Sequence, residues 1–362
     1  MKVAIFGAGL SGLSCAITLE KHGVNPSIFE KRSCVGDRFV NAEAMFSILE
    51  RPVKDGLSYL SEVYGIHLEP ISETNHLMIH SLNGESSVEG KIGYTNIRGR
   101  HENSFENQLS RQVKSKINFN FLKEYTEISK DFDSIVLATG DGDYSIKLNN
   151  YRCDITCSLK GATVEGTFLT SEPHVWFNYD ILPKGYAWLI PYSQKEANLV
   201  IAFPEYPQAE IYDIDKMWKL MFDLACRDLR QSLKITDRFQ IIHYIAGICE
   251  SPKIGNTYFV GNCFGALSPG LGFGQFSSIL TGIYAALDIC NLAHYDDLVK
   301  PLFENYNHSL ALRRFLEGLS NDDLDRIVKR SNLKFADTLI SRLLSSDSSF
   351  DLLKWLTPLL SK

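Results

Sequence analysis

Residues 7–12 read Gly-Ala-Gly-Leu-Ser-Gly, and their setting constrains the fold more than any other stretch of this 362-residue chain. An apolar run, residues 2–6, comes just before and reads as a buried parallel strand. Leu13, Ala16, Ile17 and Leu19 follow at helical spacing, and Gly23 is a stop signal. Residues 26–30 then form a second strand that ends in Glu30. A strand, a glycine turn, a helix and an acid-ended strand are the context in which GxGxxG binds a dinucleotide. Gly7 permits the tight turn, Gly9 lets a pyrophosphate approach the backbone, and Gly12 lets the helix pack against the strand. The helix, read over residues 11–22, aims unpaired N–H groups and a partial positive charge from its N-terminus at the phosphates, with Leu10 and Ser11 as candidate binding residues there. Glu30 is placed to accept both hydroxyls of an adenosine ribose. FAD and NAD satisfy these residues equally.

A second junction separates the two. Val260-Gly261-Asn262 ends a late strand, and Ser268-Pro269-Gly270-Leu271-Gly272-Phe273-Gly274 leads into a long helix over residues 275–290. A simple NAD dehydrogenase needs no second glycine-rich strand-to-helix junction this late. A flavoprotein does, because the positive end of the far helix sits at the flavin N1/C2=O edge, where reduction builds negative charge. Four glycines between Gly265 and Gly274 would otherwise weaken the lobe for little gain.

The intervening material differs. Residues 134–138 make a third buried strand, but 151–205 alternate and are rich in aromatic and β-branched types, as in an antiparallel sheet. Residues 213–233 read as helix and 238–248 as a strand returning to the first lobe. The expected architecture is α/β: a Rossmann-like FAD-binding domain (1–150 plus 250–290), an inserted antiparallel-sheet substrate domain (151–249) and a helical C-terminal region (291–362). The composition, 44% hydrophobic and 22% charged, is that of an ordinary globular protein. A net charge of −6 argues against a nucleic-acid partner. No signal-peptide pattern precedes the first strand, no run is long and apolar enough to span a membrane, and the eight cysteines are scattered. The expectation is a cytoplasmic protein with reduced thiols and no metal site.

At this point the sequence resembles the flavoprotein group that includes p-hydroxybenzoate hydroxylase, and more narrowly the geranylgeranyl reductases. Glu30-Lys31-Arg32 with Gly36 and Ala42-Glu43 resembles that family's EKR-x-x-x-G…AE stretch. Residues 183–191, Pro-Lys-Gly-Tyr-Ala-Trp-Leu-Ile-Pro, resemble its PxGYxWxFP motif, the most specific match. Gly261 to Gly274 resembles its flavin segment, and Asp141-Gly142-Asp143-Tyr144-Ser145 the DG-x-x-S element of the wider group. The resemblance covers about residues 1–290. It implies bound FAD, an external electron donor (NAD(P)H or ferredoxin), and hydride delivery to a C=C bond of an apolar, isoprenoid-like small molecule or lipid. Tyr186 and Trp188 alternate with Ala187, so they share one face, which in the family lines the substrate cavity. Tyr186 is also a candidate proton donor.

Three residues depart from the family pattern. Asn262 stands where it usually has an acid that bonds the ribityl chain, Asn41 where it has a cysteine, and Ile190 where it has Phe. These changes leave a flavin monooxygenase of the same fold, or a non-catalytic flavin-binding or electron-transfer protein, as alternatives. Arg38 is placed either at the FAD pyrophosphate or in solvent. Arg100 or Gln108, around a helix at 104–113, is a family-like neighbour of the flavin. His243, alternating with apolar residues, reads as a core histidine. The amphipathic segment 350–360 either packs on the body or rests peripherally on a membrane.

Overall fold

The computed structural model describes residues 1–50, 52–206 and 212–331 of the chain; the amphipathic segment 350–360 lies outside them. A six-stranded sheet forms the first layer. Its parallel strands lie in the order Thr257–Phe259, Ser134–Leu137, Val3–Phe6, Ser27–Phe29, Ile117–Asn118, with Lys253–Ile254 as an antiparallel edge. The strand Val3–Phe6 is covered on both faces, which explains its unbroken apolar run. Val3 and Ile5 enter the main core, while Ala4 and Phe6 join an aromatic cluster with Phe29, Phe121 and Tyr125.

Two helices, Leu10–Lys21 and Gln275–Ile289, pack together over this sheet. They touch backbone to backbone because position 282 is glycine: a Cβ there would stand 2.0 Å from the Ser11 carbonyl oxygen. Beside it, Ser14 Oγ donates to the Ile279 carbonyl at 3.0 Å. The early and late glycine-rich segments, far apart in sequence, thus pack together.

The second sheet has eight strands, in the order Lys234–Cys249, Tyr151–Glu165, Glu196–Pro204, Tyr186–Pro191, His174–Trp176, Ser72–His80, Glu85–Arg98, Asn41–Phe46. Every pairing is antiparallel except the joint between Ser72–His80 and His174–Trp176. The sheet is therefore not confined to the expected insertion at 151–249, because residues 41–98 supply three of its strands. Helix Ile214–Asp228 covers one face through Met217, Trp218, Met221 and Ala225. The opposite face carries Trp188 and Ile190 toward Ala42, Ala44, Phe46 and Phe273.

The chain closes with helices Tyr295–Gly318 and Asn321–Ser331. His243 is not in the core as expected. The strand Lys234–Cys249 shifts register between Ile241 and Tyr244, and His243 adopts φ 54° there. The bulge turns the imidazole to solvent, where Nδ1 bonds Glu205 Oε2 at 2.7 Å. All eight cysteines are free.

Candidate functional site

The three glycines of the first loop answer to different neighbours. A Cβ on Gly7, where φ is 111°, would lie 2.1 Å from the Ala138 carbonyl oxygen, and one on Gly12 2.0 Å from that of Gly7. Gly9 has no such neighbour: a Cβ there meets nothing within 4 Å. The protein's own packing demands glycine at 7 and 12, and leaves open space over the backbone at 9. That is the cradle a pyrophosphate needs. Gly9 is also the N-cap of the first helix, which no side chain caps and whose first turn holds no acid. Leu10 and Ser11 point their side chains inward, so they offer the loop their backbone alone.

Glu30 lies across the loop. Its Oε2 accepts from the Ala8 N–H at 2.8 Å and its Oε1 from the Arg32 N–H at 2.9 Å. The carboxylate is thus held beside the cradle with lone pairs to spare for hydroxyl donors. Lys31 and Arg38 are exposed. The Arg38 charge reaches the Tyr244 phenol, opposing the rise in its pKa that burial causes.

The late junction is stitched to the Asp141 loop. Gly261, at φ 60°, faces Ser11, and its N–H donates to Thr281 Oγ1 at 2.8 Å. Ser145 Oγ donates to the Cys263 carbonyl at 2.6 Å, Cys263 Sγ to the Asp141 carbonyl at 3.1 Å. Burial pushes the Cys263 thiol up to about 11, so it is a neutral donor in this network. The Asn262 amide nitrogen donates to the Gly140 carbonyl at 2.9 Å and meets the Tyr244 hydroxyl at 2.7 Å. Its carbonyl oxygen is the group left to meet a hydroxyl.

Gly272, Phe273 and Gly274 lead into the late helix, whose N-terminus also has no side-chain cap and no acid in its first turn. Gln275, its first residue, precedes the contact at Gly282 by seven positions, about 10 Å of helix rise. Two uncapped positive helix ends are therefore offset by roughly the reach of a ribityl chain.

Beyond them lies an aromatic wall. Tyr186 and Trp188 share a face with ring centroids 5.3 Å apart, and Phe46 and Phe273 meet at 5.3 Å beside Trp188. The Tyr186 hydroxyl donates to the Leu271 carbonyl at 2.5 Å, and burial raises its pKa well above the usual phenol value.

Arg100 and Gln108 are used elsewhere. Arg100 pairs with Asp237 at 2.5 Å on the exposed rim. Gln108 bonds the backbone of Glu69 and Asn103. The more deeply placed cation is Arg98, at 2.7 Å from Glu106 and 3.4 Å from Glu43. Glu43 and Gln275 join there, and sequence reading did not single out Gln275. The signal was a long polar side chain in the first turn of an otherwise small and apolar helix.

A family model described as an NAD(P)-binding Rossmann-like domain matches residues 5–64. Among solved structures, the chain is similar to a geranylgeranyl bacteriochlorophyll reductase-like protein from Thermoplasma acidophilum. Identity is 15%, TM-score 0.70, with 99% of this chain and 98% of that one covered. A flavin-dependent brominase aligns at 14% identity and TM-score 0.65 over 95% and 93% of the two chains. Aklavinone-11 hydroxylase, solved with FAD and aklavinone, aligns at 14% and TM-score 0.55 over 80% and 62%. At these identities the likeness is one of fold: the chain has the α/β fold of this reductase-like protein, of flavin-dependent halogenases and of the hydroxylase.

Proposed function

We propose that this chain is an FAD-dependent oxidoreductase that reduces a C=C bond of an apolar, isoprenoid-like substrate. The observation that carries the cofactor is the pair of uncapped helix ends about 10 Å apart along the late helix, with open backbone at Gly9. Glu30 holds the adenosine ribose and the Gly9–Ser11 backbone the pyrophosphate, with Arg38 supplying charge from the rim. Asp141, Gly261 and the Asn262 carbonyl border the ribityl chain, and Gly272, Phe273 and Gly274 the ring. When bound, FAD supplies hydride after reduction by an external donor, NAD(P)H or ferredoxin.

The protein's part is to exclude water and fix geometry. An alkene offers no charge to grip, so an apolar wall of Phe46, Trp188, Ile190 and Phe273 suits it. Tyr186 holds the Leu271–Gly274 loop through its bond to Leu271, and its phenol, which burial keeps protonated, supplies the proton to the carbon opposite the hydride. The Thermoplasma protein's description as reductase-like supports the same choice.

Purified protein is expected to be yellow; a colourless preparation indifferent to added FAD overturns the cofactor. Photoreduced protein is then mixed anaerobically with geranylgeranyl lipid, and separately with air. Reoxidation by the lipid is the expected result, with Trp188→Ala weakening turnover or lipid affinity at least tenfold. Oxygen-dependent hydroxylation instead makes the chain a monooxygenase, and neither reaction leaves a flavin-binding module.

A further inference from the structure

The strand Asn41–Phe46 turns Ala42, Ala44 and Phe46 to the aromatic wall, and Asn41 and Glu43 to the opposite side, against the start of the late helix. There Asn41 Nδ2 donates to Glu43 Oε1 at 2.8 Å, and Gln275 Nε2 donates to Glu43 Oε2. The carboxylate fixes both amides, since a reversed amide would set its oxygen against the negative charge. Asn41 Oδ1 and Gln275 Oε1 are then left buried without a hydrogen-bond partner. Asn96, which faces Glu43 across the sheet, has neither its Oδ1 nor its Nδ2 paired. Asn96 is 1% exposed and Gln275 4%. Each such orphaned group costs a fold about 1–3 kcal/mol. Apolar residues would fill this space at lower cost, so the cluster points to a ligand.

The orphans are three carbonyl acceptors and one N–H donor, gathered at the first residue of the helix that, on the FAD reading, would meet the flavin's N1/C2=O edge. The next atoms along that edge are N3–H, a donor, and C4=O, an acceptor. We infer that Asn41, Asn96 and Gln275, oriented by Glu43, recognise the imide edge of the flavin ring through their side chains. This rests on the FAD reading above.

The test compares FAD with 3-methyl-FAD, in which a methyl group replaces the N3 hydrogen, by titrating each into apoprotein. Wild type is expected to favour FAD by about tenfold or more, the worth of one well-made buried hydrogen bond. In Gln275→Met and Asn96→Leu the affinity for FAD falls and the preference shrinks toward unity. The thermal midpoint of the Asn96→Leu apoprotein holds or rises, because both orphaned atoms are gone and no side-chain hydrogen bond is lost. Equal preference in wild type and both variants overturns the inference while leaving FAD in place. So does equal binding of the two cofactors by wild type alone, which decides the matter even where a variant fails to fold. Wild type that binds neither removes the FAD reading itself.

Discussion

A methyl group added at Gly9 enters open space, whereas the same group at Gly7 or Gly12 collides with a carbonyl oxygen at 2.1 or 2.0 Å. Gly9 also has φ −90°, which alanine adopts without strain. The three positions should therefore separate folding from binding. Gly9→Ala is expected to keep its stability within about 0.5 kcal/mol and to lose FAD affinity at least tenfold. Gly7→Ala and Gly12→Ala are expected to lose several kcal/mol and accumulate as insoluble protein, since backbone cannot yield as a side chain can. Thermal melts with and without FAD read both effects. Unimpaired FAD binding by a folded Gly9→Ala would remove the pyrophosphate from this loop. The roles of these glycines were legible in the sequence because strand, turn and helix are local. The partners of Asn262 and Arg100 were not, because Gly140, Tyr244 and Asp237 come from distant segments.

Among elements, helix Tyr295–Gly318 carries no motif, yet it holds both halves of the candidate site. Ser309 Oγ accepts from the Gly270 N–H at 2.8 Å, in the loop before the late helix. One turn on, Arg313 donates from Nη2 to the Lys184 carbonyl, at the turn that starts the Tyr186 strand. Its Nε donates to Glu317 at 2.9 Å. Lys184 has φ 55° there, and its ammonium returns the contact by donating to the Leu319 carbonyl at 2.6 Å. Arg313 is 5% exposed, and its removal takes one partner from the half-buried Glu317, which keeps Arg314 at 3.0 Å, and one from the Lys184 carbonyl. Arg313→Leu is expected to cost about 1–3 kcal/mol in urea unfolding. A change below about 0.5 kcal/mol would show that the clamp contributes little. Sequence alone marked this stretch as helical and amphipathic; what it clamps depends on two loops far upstream.

At the scale of the whole molecule, the eight-stranded sheet is made of two chain segments that meet at one joint, Ser72–His80 beside His174–Trp176. The second segment, residues 151–249, was legible because its strands alternate strongly. The first was not: residues 72–98 mix polar and apolar side chains, and their cover comes from strands and helices remote in sequence. The joint is also where titratable groups gather. His80 and His174 bond ring to ring at 3.0 Å and stack near Trp176, whose Nε1 donates to Asp228. Glu172 bonds His76 at 2.5 Å and lies 3.5 Å from His174, with Glu85 and Glu89 at the rim. Burial, then the neighbouring His80, lowers the His174 pKa to about 4. The unfolded chain binds that proton near pH 6.5, so between the two values it holds more protons than the fold does. Stability from this group is therefore complete above about pH 6.5 and is lost as the pH falls toward 4, by up to about 3 kcal/mol. His80, whose pKa burial also lowers, acts in the same direction. His174→Gln keeps a polar partner for His80 and cannot titrate. Its unfolding free energy, measured from pH 7 to 4.5, is expected to fall less steeply than that of wild type. Parallel curves would place the acid sensitivity away from this joint.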